Sequence, residues 1–223
     1  MSKRLWMEAM IKFGLGVLVV GGLIFFSAGT FSYWKGWLFM IVLFFPMFVA
    51  GLVMMVKQPQ LLERRLVVKE KEMKQSIIIK CSGLMFTIGF LICGFNERFE
   101  WYIMPNYITV LGTTLFLVSY LLYAEVLREN TYLSRTIEVT KDQKVVDTGL
   151  YSLVRHPMYS VTLVLFLSIP LILGSIQGFF IFLLYPFLII KRLKEEELFL
   201  EKNLPGYEDY MKKVRYRLIP FLW

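Results

Sequence analysis

His156 is the single histidine of this 223-residue chain, and it stands between Arg155 and Pro157 in the stretch RHPMY, residues 155–159. An imidazole can take or give a proton near neutral pH, and a neighbouring guanidinium can hold a carboxylate through paired hydrogen bonds. A second polar group lies in KRLKEEELFLEKNLPGYEDY, residues 191–210, where Arg192 and Glu196 share one face of any helix they occupy. A carboxylate there suits the hydroxyl or ammonium groups of a ligand, and arginine suits an anionic group. Gly149, in QKVVDTGLY at 143–151, permits a positive φ or a close backbone approach. Glu125 is the acid lying clearly inside an apolar segment, which marks it as a functional candidate, although it can equally snorkel or pair with Arg128. Plainer readings stand beside these. Pro157 suits the first turn of a helix, Arg155 an interfacial anchor, Tyr159 an aromatic belt, and Arg192 with Glu196 an ordinary exposed ion pair.

The elements that must position these groups are membrane helices. The chain is 57% hydrophobic and 19% charged, with a mean hydropathy of +0.59, which is more apolar than soluble domains usually are. Six apolar stretches, at 13–33, 36–56, 76–95, 105–127, 158–174 and 176–191, are each long enough to cross the hydrocarbon or nearly so. The first starts too late and runs too long for a cleaved signal peptide. The last two are short and joined by LGSIQG, which reads as a tight helical hairpin; neighbouring helices can satisfy the carbonyls freed by Pro170 and Pro186. With the N-terminus inside, only Lys35 and Arg98 of the 25 basic residues fall in outer loops. That bias predicts cytoplasmic termini and a cytoplasmic site, in the plasma membrane if the source is bacterial.

The expected fold class is therefore an all-α integral membrane protein of about five to six transmembrane helices, with a C-terminal hairpin and a cytosolic cap. The net charge of +8 is distributed for lipid headgroups and orientation, not nucleic acid. Cys81 and Cys93 are too far apart on a straight helix to bond each other, and no metal is expected. Polar-solute transport is disfavoured, since the first three apolar stretches carry no ionisable side chain well inside the bilayer. Residues 57–75 suit an interfacial amphipathic helix through Leu61, Leu62, Leu66 and Val67. Residues 128–156 form a longer connection in which TIEVTKDQKVVDTG alternates around a Lys-Asp-Gln turn, predicting short extended pieces. Residues 192–223 continue the last apolar helix, break at Pro205-Gly206 and end in LIPFLW. Two regions result: N-terminal helices over 1–127, and a polar C-terminal region over 128–223.

Taken in order, Q-x-V-V-x-T-G-x-Y-x-x-x-R-H-P-x-Y, an apolar hairpin, R-x-x-x-E-E, G-Y-x-x-Y and a final RLIP resemble the isoprenylcysteine carboxyl methyltransferase family. Its wider group includes the phospholipid methyltransferases. The resemblance covers residues 125–223 and extends weakly to QPQLLERR at 58–65. It implies S-adenosyl-L-methionine as methyl donor, bound from the cytosol. By position it implies cofactor contacts from Gln143, Lys144, Val145, Val146, Tyr151, His156, Pro157, Met158, Tyr159 and Glu196; Gly149 and Arg155 complete the expected set. Arg192 matches an arginine that serves the acceptor. Glu197 is the further catalytic candidate and Glu125 the further acceptor-binding one. Where Gln143 stands, eukaryotic prenylcysteine enzymes carry a histidine, so contacts at that position differ.

The implied acceptor is a lipid or lipidated molecule entering from the membrane, and Arg192 tilts the reading to a carboxylate. An amine headgroup is the alternative; it must first lose a proton, with Glu125, Glu197 or His156 as helpers. A rival comes from the sterol C14-reductase-like proteins, which share R-H-P-x-Y but use a nicotinamide cofactor; the Glu196-Glu197 pair argues for methyl transfer. Oligomeric state is left open.

Overall fold

The computed structural model describes residues 3–66, 73–134, 137, 139–140 and 143–223. Nine α-helices are found among them. Helices α1 (Lys3–Ala28), α2 (Trp34–Lys57), α4 (Met73–Phe99) and α5 (Asn106–Glu129) are long and apolar enough to cross a bilayer. Between α2 and α4 lies the short α3 (Pro59–Leu66). After α5 come α6 (Pro157–Ile172), α7 (Ile176–Phe182), α8 (Tyr185–Asn203) and α9 (Tyr207–Lys213). Helices α7 and α8 together form the fifth candidate span, Ile176–Asn203. At ~1.5 Å per residue α6 is only ~24 Å long, short of the ~30 Å hydrocarbon thickness. The chain is an all-α integral membrane protein.

The outward surface explains the composition. Phe26, Leu18, Val56 and Leu121 are exposed on the outer faces of their helices, where lipid is their solvent. The interior is aromatic: Phe39, Phe90, Phe116 and Phe182 are buried, and Phe39 meets Phe116 edge-on at a centroid distance of 6.0 Å. In lipid, helix association depends on close packing more than on apolar burial, so small residues sit at the crossings. Gly94 brings α4 against α1, where an added methyl would lie 1.9 Å from Ser27 Oγ and 2.7 Å from the Ile24 carbonyl oxygen. Gly94→Ala is therefore expected to push α1 off α4 at a cost of about 1–3 kcal/mol. A lowered midpoint of thermal unfolding in detergent reads this out, and an unchanged midpoint would mean the crossing relaxes freely.

The hairpin forms as the sequence predicts. Gly174 takes a φ of 71° in the turn between α6 and α7, and the Ser175 side chain accepts from Gly178 N–H at 3.0 Å to start α7. Pro186 accounts for the break at Leu183–Leu184. It lacks an N–H and its ring would clash with the carbonyl of residue 182, so the helix restarts with proline in the first turn of α8. The last helix then runs well beyond the apolar stretch at 176–191 and carries Arg192, Glu196 and Glu197 on its end. Gly206, with a φ of 84°, ends the connection into α9.

The amphipathic reading of 57–75 holds for α3, whose Leu61 and Leu62 are buried; Val67 lies outside the described residues. The short extended pieces expected around 136–149 are not found among the described residues, which lie in irregular backbone apart from the turn closed by Gln143 N–H on Thr140 O at 3.1 Å. The alternation has a different cause. Val139 and Val145 pack onto Leu204, Tyr207 and Tyr210, so their side chains are partly buried with no partner strand among the described residues. Helix α5 joins the two ends of the bundle: it starts beside Met104 and ends at Asn130, ~36 Å apart along its axis.

Candidate functional site

A cavity of about 820 Å3, measured to its open mouth, lies where the end of α5, the start of α6, the polar end of α8 and α9 meet the 130–146 connection. Sequence places far apart in the chain converge here. Gln143, Lys144, Val145, Val146, Tyr151, Arg155, His156, Met158, Tyr159, Arg192 and Glu196 all line it.

Pro157 sits at the first position of α6, and His156 caps that helix with a φ of −127°. This fixes which way the next turn points. Tyr159 is buried, its ring lies over the His156 ring at 5.7 Å, and its hydroxyl donates to Glu196 while accepting from Arg192 Nε at 3.1 Å. The four-residue spacing of Arg192 and Glu196 thus has a specific result: both reach one phenol across the cavity wall. The ion pair expected of an exposed helix is replaced by a relay through α6.

Behind this wall Glu197 is buried and forms no part of the cavity lining. One oxygen accepts from Arg155 Nε at 2.6 Å and lies 3.3 Å from His156 Nε2; the other accepts from Arg217 Nε at 2.8 Å. Glu197, expected as a catalytic residue, lies ~100° around α8 from Glu196 and faces the protein interior behind the cavity wall. Arg155 also donates through Nη1 to the carbonyls of Val214 and Arg215, at 2.8 and 3.0 Å. The C-terminal tail is stitched alongside, with Arg155 N–H on Tyr216 O at 2.9 Å and His156 N–H on Arg217 O at 3.0 Å.

Three other expected residues lie off the cavity. Glu125 is turned to the outside of α5, where Arg128 holds it through contacts of 2.6 and 2.8 Å, so it does not meet an acceptor in this cavity. The helix face explains this, since the next residue, Val126, points inward and is fully buried. Gly149 has a φ of 51°, and a methyl there would overlap Glu129 Oε1 at 1.5 Å. Its lack of a side chain lets Glu129 accept from Leu150 N–H at 3.0 Å, which holds Tyr151 in place. Pro157 is buried at the first position of α6 and is not part of the cavity lining.

The structure adds residues that spacing did not reveal. Asn130 donates to Tyr151 Oη at 3.1 Å, and Tyr210 Oη donates to Tyr151 O at 2.7 Å. Tyr207 lines the cavity, is buried, and its hydroxyl has no hydrogen-bond partner among the described residues. A buried orphan hydroxyl costs about 1–3 kcal/mol unless a ligand meets it. Burial raises the phenols of Tyr151, Tyr207 and Tyr210 above the usual tyrosine range, with Glu197 and Glu196 adding to the effect at Tyr207. All three are neutral donors at physiological pH. Tyr207 and Tyr210 belong to G-Y-x-x-Y, whose tyrosine spacing was the available signal; Arg217 in RLIP had none.

Residues 107–205 match the phospholipid methyltransferase family. This is the wider group that the motif order resembles, and the match reaches further towards the N-terminus than the motifs while stopping short of the tail. A Delta(14)-sterol reductase from Mus musculus is 30% identical over 91 residues, 40% of this chain. The chain spans 22% of that reductase's length.

Proposed function

We propose that this protein is an S-adenosyl-L-methionine-dependent membrane methyltransferase acting on a lipophilic carboxylate. The observation that carries the reading is a cavity lined by Arg192, Tyr159, Glu196 and Tyr207, the last with a buried hydroxyl that has no partner among the described residues. The match to the phospholipid methyltransferase family over residues 107–205 supports the reaction class.

The lining fits the donor. Glu196 and the hydroxyl of Tyr207 suit ribose hydroxyls and the amino group, Tyr151 and Met158 offer apolar faces for the adenine, and Arg155 and Arg192 offer charge to carboxylates. When bound, the cofactor supplies a methyl on a sulfonium: the carbon–sulfur bond breaks as the carbon–oxygen bond forms, sulfur keeps the electron pair, and a neutral ester results. The protein's part is alignment and exclusion of water, worth on the order of 7–11 kcal/mol for well-oriented pairs. Arg192 would hold the acceptor carboxylate, which is a nucleophile without any proton loss.

The fate of the candidate bases favours carboxylate over amine. Glu125 is outside the cavity, and Glu197 is held by Arg155, His156 and Arg217. His156 Nε2 faces that same carboxylate. Glu196 is the one carboxylate lining the cavity among the described residues, and it already accepts from Tyr159. An amine acceptor would have to share it. A lipid tail would lie among the outward apolar faces, and the positive-inside bias supports a cytosolic cavity.

Calorimetry on the protein in nanodiscs tests the reading. S-adenosylmethionine and its demethylated product are expected to bind in the micromolar range, with NADPH silent. Binding of NADPH alone would instead assign the protein to the reductase chemistry named for its Mus musculus relative. Tyr207→Phe adds a sharper test, since its two effects have opposite signs. Without ligand the variant should be as stable as the parent or more so by about 1 kcal/mol, and its cofactor affinity should fall about tenfold. Undiminished affinity would remove Tyr207 from the site.

A further inference from the structure

A second polar cavity, about 570 Å3 to its open mouth, lies at the opposite end of the bundle between the start of α2 and the α4–α5 connection. Its floor is Lys35, which is only 7% exposed. The ammonium lies against Gly174, makes one hydrogen bond of 3.3 Å to the Met104 carbonyl, and stands 5.8 Å from the Trp34 ring. Two of its three donors thus have no acceptor among the described residues. Lysine in the first turn of α2 also meets the positive end of the helix dipole. A buried cation in that position is costly unless an anion meets it.

Glu97 and Glu100 line the same cavity; Glu97 and Lys35 attract each other across it, but at more than ion-pair distance. Asn96 does not serve it either: its amide bridges Tyr102 O at 3.1 Å and Gly174 O at 3.2 Å, which builds the cavity wall. The cavity therefore offers a recessed cation and, towards its mouth, two carboxylates. The mouth is ringed by Trp34, Tyr102 and Ile103, all exposed, as a membrane interface favours.

We propose that this cavity binds the headgroup of a zwitterionic phospholipid with a primary ammonium, phosphate on Lys35 and ammonium between Glu97 and Glu100. A phosphate supplies acceptors for the two remaining lysine donors, and a primary ammonium supplies donors for both carboxylates. A quaternary ammonium has no proton to donate to them. The acyl chains would run down the apolar outer faces of the bundle. Since α5 separates the two cavities by ~36 Å, this lipid is held and not methylated, and the assignment is independent of the reaction proposed above.

The test is native mass spectrometry of the full chain with dioleoyl phosphatidylethanolamine, phosphatidylcholine and phosphatidylglycerol at matched concentrations. One phosphatidylethanolamine per chain should be retained at least about tenfold more tightly than the other two. Lys35→Gln should abolish that preference. Glu100→Gln, on the exposed rim where folding is not at stake, should weaken it severalfold, with cofactor binding intact in both variants. Equal retention of the three lipids, or an unchanged preference in Glu100→Gln, overturns the proposal. Displacement of the lipid by soluble phosphoethanolamine at comparable concentration overturns it too, since the free headgroup would then be the ligand.

Discussion

Glu197→Ala is expected to be the most damaging single change in this protein, with a loss of about 3–5 kcal/mol of stability and no cofactor binding. The carboxylate is 5% exposed and is the shared anion of Arg155, His156 and Arg217. Truncation leaves Arg155, itself 8% exposed, facing His156 with no counter-charge. The tail should then detach, because Arg155 also carries the hydrogen bonds to Val214 and Arg215. Glu197→Gln keeps the volume and one acceptor, so it should lose less stability than alanine. Thermal unfolding in detergent separates these variants, and a double-mutant cycle of Glu197→Leu with Arg155→Met isolates the pair. The cycle should give a coupling well above 1 kcal/mol. If Glu197→Ala unfolds with the parent, the cluster is structurally idle and the cavity wall is held by other contacts.

Much of this cluster was visible in the sequence as residue types but not as geometry. The helices were legible because lipid imposes long apolar runs, and LGSIQG was legible because a short turn between such runs leaves one arrangement. Arg192 and Glu196 were legible as a helix face, since spacing of four is a local property. What they jointly touch, Tyr159, was not, because it depends on how α6 packs beside α8. The inward turn of Glu197 was not legible for the same reason: one residue along the helix turns a side chain by about 100°, from cavity to interior. Glu125 stood open between an acceptor role and a pair with Arg128, because an acid within an apolar run says nothing of which face it occupies; the pair is what forms. Arg217 was missed because its partner is a carboxylate on another element, brought near only by the returning tail. Val139 and Val145 show the converse: apolar positions in an alternating run pack against Leu204, Tyr207 and Tyr210, with no strand among the described residues.

Glu196→Ala is expected to reduce S-adenosylmethionine affinity by about 100-fold or more, while thermal stability changes far less than in Glu197→Ala. Two charge-assisted hydrogen bonds at about 1.5–3 kcal/mol each account for a loss of that size. The contrast between neighbouring glutamates follows from their surroundings. Glu196 is only partly buried and faces the cavity, so its removal opens the Tyr159 hydroxyl to solvent or ligand without stranding a buried cation. Arg192→Ala separates the roles further. It should leave cofactor affinity within a few fold of the parent and lower turnover by raising the acceptor KM, because its work is to hold an anionic acceptor. Arg192→Lys should restore little, since lysine cannot grip a carboxylate with two parallel hydrogen bonds. Equal loss of cofactor binding in Glu196→Ala and Arg192→Ala would instead show that the relay through Tyr159 is a single cofactor-holding unit. The acceptor would then have to be bound by another part of the cavity, where Lys144 and Arg155 are further cations on the wall.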